Sequence, residues 1–135
     1  MVRGIGVDVT QVDRIDKAYR RFGGRFVDRL LGAQEKHELK KRRDPLMFLA
    51  GRFAAKEALI KALATLLTWR PAWAELQVLA GSGGRPVIVV DCDRLGLPAD
   101  LRFHVSIGHE RMYAVAVVIV EGADQSSQDL RQSAK

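Results

Sequence analysis

The sequence predicts an α+β fold in which an antiparallel sheet packs against one long central helix. Apolar residues recur at helical spacing through most of the first half of the chain and alternate with period two in the second, and short glycine-containing links join the later segments as hairpins do. With 135 residues, 47% hydrophobic and 28% charged, the chain fits one domain with a single core and excludes a collagen-like or wholly disordered class.

Ile5, Val7 and Val9 alternate with Gly4, Gly6 and Asp8, which reads as a short strand ending near Val9 with Asp8 on the face opposite the valines. Thr10 followed by Asp13 has capping-box spacing, so a helix is expected from there to about Phe22, with Val12, Ile15, Tyr19 and Phe22 on its apolar side. Gly23 and Gly24 stop it. Two short basic helices should span 25–31 and 33–42. Asp44 and Pro45 then start the longest helix, Asp as N-cap and Pro in the first turn, running through Leu49, Phe53, Ile60 and Leu63 to Leu67. Its small residues from Ala50 to Ala55 suggest close backbone approach to the sheet. Strands are expected at 75–80, 86–90, 102–107 and 112–120, with a loop or short helix at 92–98. Beyond residue 121 the chain turns polar and aperiodic, so 1–121 reads as one domain and 122–135 as a disordered tail.

The charge is the unusual quantity. The net +6 is concentrated between Arg14 and Arg43, where eleven basic residues face four acidic ones, and it calls for an anionic partner. Arg14, Lys17 and Arg21, at i, i+3 and i+7, form a stripe along the first helix rather than a scatter. A single cysteine, Cys92, and the absence of an export signal or a membrane-length apolar run point to a soluble protein of the reducing cytoplasm.

Asp8 stands where strands rarely carry aspartate; it is either a functional carboxylate or a cap for the next helix. Glu57 and Lys61, at i and i+4 on the long helix, are either an exposed ion pair worth about 0.3–0.5 kcal/mol or part of a site. Glu57 borders the apolar face, so it can meet Asp8 if strand and helix pack. Two carboxylates and a lysine suit a Mg²⁺–phosphate centre, since magnesium is commonly held by one or two carboxylates plus substrate phosphates. His109 falls in a glycine-containing turn after a strand; His104, in mid-strand, reads as structural, and Trp69 and Trp73 as packing over the helix end. No Walker loop, dinucleotide fingerprint, zinc spacing or nucleophile elbow is present.

Three segments, GIGVDVTQVDRI, LAGRFAAKEALIKAL and HVSIGHERMYAVAVVI, together resemble the holo-acyl-carrier-protein synthase family of bacterial 4′-phosphopantetheinyl transferases. The resemblance spans Gly4 to Glu121. It implies transfer of phosphopantetheine from coenzyme A to a serine of an acidic acyl carrier protein, with Mg²⁺, leaving adenosine 3′,5′-bisphosphate. It assigns Asp8 and Glu57 to the metal, Lys61 to the reacting phosphates, and Arg52 and His109 with Lys61 to coenzyme A. It also implies a homotrimer with sites between subunits. The basic stripe then becomes a carrier-docking surface of Arg14, Lys17, Arg21, Arg25, Phe26 and Arg29. The chain departs from the family where Ala64-Thr65-Leu66 stands for Gly-Thr-Gly, where Gly108 precedes His109, and where Gln11 replaces an acid; continued helix past Ala64 is the expectation. Two other readings stay open: a coenzyme A-binding member that does not transfer, and a basic nucleic-acid-binding module, against which Phe22, Phe26 and Phe53 lie in apolar phase.

Overall fold

The computed structural model describes residues 1–123; residues 124–135, on which the expectation of a disordered tail falls, lie outside the described residues. Strand β1 (Val2–Gln11) leads directly into helix α1 (Val12–Phe22). Helices α2 (Gly24–Leu30), α3 (Ala33–Leu39) and α4 (Pro45–Leu63) follow, then strands β2 (Gln77–Ala80) and β3 (Pro86–Val89), a short helix α5 (Cys92–Leu95), and strands β4 (Arg102–His109) and β5 (Tyr113–Glu121). The α+β class and the antiparallel sheet are as the sequence predicts. There are, however, two sheets: β1, β5 and β4 form one, with β5 central, and β2 and β3 pair separately.

Helix α4 is the axis. Asp44 caps it by accepting from the Met47 backbone N–H at 3.0 Å, and Pro45 occupies its first turn. Apolar nearly all round, it is enclosed by the β1–β5–β4 sheet and by α1, and Leu49, Ala50, Ala54, Ala58 and Leu59 are fully buried. β5 contributes Ala114, Ala116, Val118 and Val120 to the same core. No described helix is long and apolar enough to cross a membrane.

Four local expectations are corrected. The capping box at Thr10 does not form: β1 continues to Gln11, helix α1 has no side-chain cap, and Thr10 is buried in the strand. Helix α4 ends at Leu63 rather than Leu67, and the chain turns there without the family's glycines, the Thr65 hydroxyl donating to the Arg3 carbonyl at 2.7 Å. The segment from Trp73 to Glu75 is a 3₁₀ turn, so the following strand starts at Gln77. Phe22, at the last position of α1, is exposed despite its apolar phase.

The alternation in β1 is real, but its apolar side faces outward. Ile5, Val7 and Val9 are 65%, 52% and 62% exposed, and they pair across the sheet with Ile119, Val117 and Val115 of β5. The opposite face, Gly4, Gly6, Asp8 and Thr10, lies against α4. At Gly4 and Gly6 the helix approaches too closely for any side chain, so on that stretch of the strand the larger side chains, Ile5, Val7 and Val9, lie on the outer surface.

Candidate active site

The contact between β1 and α4 places the carboxylates. A Cβ on Gly4 would lie 1.9 Å from the carbonyl oxygen of Ala62, and one on Gly6 1.8 Å from that of Ala58, so the strand rests on the helix backbone with no side chain between them. Asp8 is the next residue on that face, and it comes within reach of the helical edge that carries Glu57 and Lys61. Lys61 Nζ donates to the Val7 carbonyl at 2.9 Å and lies 3.3 Å from Asp8 Oδ1. Thr10 Oγ1 donates to Asp8 Oδ2 at 2.6 Å. The residue that sequence spacing assigned to helix capping therefore orients a carboxylate.

Glu57, one helical turn before Lys61, is held by Arg70, whose Nη2 donates to both carboxylate oxygens, at 2.9 and 3.1 Å. The Arg70 guanidinium lies 5.6 Å from the centre of the Trp73 ring, and Arg29 lies 5.4 Å from the same ring. Trp73 in turn packs on Phe53 at 5.3 Å, and Arg14 lies over Phe53 at 5.8 Å. These contacts link the basic surface of α1 and α2 to Glu57 through two aromatic rings. On that surface Arg21 and Arg25 flank Phe22 at 5.1 and 5.7 Å, and Lys17 pairs with Asp13 at 3.1 Å. Phe22, Arg25, Phe26, Arg29 and Trp73 line a groove of about 350 Å³.

Arg52 and His109 line a different cavity, of about 340 Å³, with Arg42, Arg43, Phe48 and Ile107. The Phe48 ring carries Arg52 at 4.5 Å and Arg42 at 4.9 Å. Burial pushes the Arg52 guanidinium below its usual value; Glu38, 3.6 Å away, pulls it back up and Arg42 opposes. Arg52 Nε and Glu38 Oε2 are buried without a hydrogen-bond partner. Three arginines, a histidine and an unpaired N–H suit a phosphate-bearing ligand. This cavity does not include Asp8, Glu57 or Lys61. Within one chain Asp8 thus meets Lys61, while Arg52 and His109 share a cavity that none of Asp8, Glu57 and Lys61 lines.

Behind the site lies a charged pair that sequence reasoning missed. Lys56 is completely buried and donates to the Leu30 carbonyl at 2.5 Å, Glu35 Oε1 at 2.6 Å and the Trp73 carbonyl at 2.9 Å. Glu35, equally buried, also accepts from the backbone N–H groups of Gly32 and Val78, each at 3.0 Å. Burial lowers the Lys56 pKa, and Glu35 raises it again. The available signal was phase: Lys56 lies three residues from both Phe53 and Leu59, on the inner face of α4. Arg70 gave no such signal, since thirteen residues and a turn separate it from Glu57. His104 is exposed, 3.4 Å from Glu121, and Trp69 is also exposed.

Among the described residues no group of three or more His, Cys, Asp or Glu converges as a metal cage. Asp8 and Glu57 instead offer two carboxylates beside a lysine, the oxygen-only set that suits a hard cation sharing its coordination with substrate phosphate.

The chain matches the family described as "4'-phosphopantetheinyl transferase superfamily" over residues 4–118. It is 43% identical over 128 residues to the holo-[acyl-carrier-protein] synthase of Bordetella pertussis, covering 89% of this chain and 83% of that one. The holo-[acyl-carrier-protein] synthase of Solidesulfovibrio magneticus is 42% identical over 125 residues, covering 90% and 100%. Among solved structures, the holo-(acyl-carrier-protein) synthase of Bacillus anthracis in complex with CoA (3′,5′-ADP) superposes with a TM-score of 0.76 at 30% identity, covering 91% of this chain and 99% of that one. The Helicobacter pylori synthase in complex with coenzyme A gives a TM-score of 0.72 at 28% identity, covering 87% and 99%.

Proposed function

The chain belongs to the 4′-phosphopantetheinyl transferase superfamily, and from that premise we propose that it transfers 4′-phosphopantetheine from coenzyme A to a serine of an apo acyl carrier protein. The relatives' synthase activity and their complexes with coenzyme A support both substrates. The observation that carries the reading is the placement of Asp8 against Lys61 on the helical edge that also presents Glu57.

The serine hydroxyl attacks the phosphorus that bears pantetheine, the phosphoanhydride bond breaks, and adenosine 3′,5′-bisphosphate leaves. Asp8 and Glu57 are the residues that would hold Mg²⁺, which supplies charge neutralisation on the pyrophosphate. Lys61, anchored on the Val7 carbonyl, presents its ammonium to the negative charge that shifts onto the leaving phosphate. Glu57 takes the serine proton, directly or through a water that it orients. Arg52, Arg42 and His109 receive the phosphate-rich nucleotide end of coenzyme A.

That the cavity shared by Arg52 and His109 is lined by none of Asp8, Glu57 and Lys61 supports a site completed between subunits. The outward Ile5, Val7, Val9 and Val117 form an apolar sheet face of the kind that an oligomer covers, in keeping with the family's homotrimer. The basic surface with Arg14, Lys17, Arg21, Arg25 and Arg29 docks the acidic carrier by complementary charge, while Phe26, expected on that surface, is buried in the core and reaches it only as a wall of the groove. We place the enzyme in the cytoplasm, with 1–121 as its single domain and lipid synthesis as its setting. Nucleic acid and membrane are not among its partners.

The test is mass spectrometry of an apo carrier incubated with the protein, Mg²⁺ and coenzyme A. The carrier gains the phosphopantetheine mass with the wild type and not with Asp8→Ala or Glu57→Ala, both folded by circular dichroism. No gain while a control transferase reacts refutes the function; undiminished activity in both variants refutes the metal assignment.

A further inference from the structure

We propose that Arg70 is a positioning residue with two successive partners: it holds Glu57 in the isolated chain, and it passes to a carboxylate of the acidic carrier when the cation takes Glu57. The inference rests on the proposed transfer reaction and adds to it a coupling between carrier docking and completion of the metal site.

Arg70 makes one directed ion pair, and that pair occupies both oxygens of Glu57 through a single nitrogen. A guanidinium stays charged at any physiological pH, so it competes with a cation for the same carboxylate. The two partners differ in freedom. The Glu57 side chain is 20% exposed on a rigid helix, whereas Arg70 is 58% exposed on the connection after α4. When Glu57 is given up, it is Arg70 that moves.

The surroundings supply its destination. Arg70 and Arg29, from separate elements, lie against the same Trp73 ring, and these three residues with Pro71 and Ala72 line a recess of about 350 Å³. Arg29 has no acidic partner among the described residues, so the recess holds uncompensated positive charge. An incoming carboxylate can accept from both guanidiniums while Arg70 keeps its aromatic contact, so the exchange needs side-chain rotation alone. Charge complementarity identifies the occupant as an acidic protein surface, because Arg29 and Trp73 also border the groove of Phe22, Arg25 and Phe26 on the basic face.

The experiment measures Mn²⁺ binding to the coenzyme A-loaded protein by electron paramagnetic resonance, with and without an apo carrier whose acceptor serine is replaced by alanine. In the wild type this unreactive carrier tightens Mn²⁺ binding about fivefold or more. Arg70→Gln binds Mn²⁺ that tightly without carrier, and carrier adds less than twofold. In the reactive assay Arg70→Gln raises KM for carrier about tenfold and leaves KM for coenzyme A unchanged. Equal Mn²⁺ affinity in wild type and Arg70→Gln, or equal effects on both KM values, overturns the proposal while leaving the transferase reading intact. A wild type that neither binds Mn²⁺ nor modifies carrier overturns both.

Discussion

Replacing Glu35 by Gln tests the claim that a buried charge pair holds the frame behind the site. The substitution keeps shape and removes only charge and one acceptor. In the native chain Oε1 serves Lys56 and the Gly32 N–H, and Oε2 serves the Val78 N–H, so all three donors face acceptors. An amide must turn its NH₂ toward one of them, and the Lys56 ammonium remains fully buried without a counter-charge. Breaking a buried pair in this way costs about 3–5 kcal/mol. Against a typical domain stability of about 5–15 kcal/mol, that is a loss of roughly 12–20 °C in Tm. The pH dependence follows from burial, which sets the Lys56 pKa below its ordinary 10.5 and does so further once Glu35 no longer opposes it. Between the lowered value and 10.5 the unfolded chain binds the proton that the folded chain has released, so stability rises with pH across that window. Urea unfolding at pH 7 and pH 9.5 should therefore show the variant's deficit shrinking at the higher pH. The double variant Glu35→Gln/Lys56→Met, which removes both charges, should recover at least half of the loss. A deficit below about 1 kcal/mol, or one equal at both pH values, refutes the reasoning.

Gly6→Ala inserts a methyl against the Ala58 carbonyl oxygen, a backbone atom that cannot swing aside; a loss of about 3 kcal/mol or more, read by chemical denaturation, is expected. Charge reversal at Arg14 or Arg21 should raise KM for carrier about tenfold, weaken its salt dependence and leave KM for coenzyme A unchanged; steady-state assays across ionic strength check this. Val7→Glu places a charge on the apolar outer sheet face; sedimentation should show the wild type as an oligomer and the variant as a monomer, and transfer should fall with assembly.

Periodicity made the long helices and the strands legible because each depends on neighbours in sequence. Asp44-Pro45 shows a helix start, and the valine-rich apolar run from Tyr113 to Val120 shows a strand, without reference to the rest of the chain. What depends on a remote partner was not legible in this way. Thr10 had two uses for one hydroxyl, capping α1 or bonding Asp8, and the close seat of β1 on α4 decided between them. The valines of β1 followed a buried-strand pattern yet face outward, because an alternating pattern marks two faces without saying which one the helix takes. At the site, Asp8 was visible as a residue type out of place in a strand, and Glu57 and Lys61 as an i, i+4 pair bordering the apolar face of a helix. Arg70 was not, since its partnership depends on the path of the chain after α4.

The middle of α4 carries three charges pointing three ways: Arg52 into the cavity that it lines with His109, Lys56 into the core, and Glu57 to the edge shared with Arg70. Each helical residue turns the chain by about 100°, so a single deletion between Phe53 and Lys56 would carry the carboxylate of Glu57 to the place of the buried ammonium, and a single insertion would carry the ammonium to the place of the carboxylate. Such a change would leave hydrophobicity and net charge untouched and still dismantle core and site together. In this helix, length is as strictly specified as composition, and the order Arg-Phe-Ala-Ala-Lys-Glu acts as an angular ruler that fixes which way each charge points.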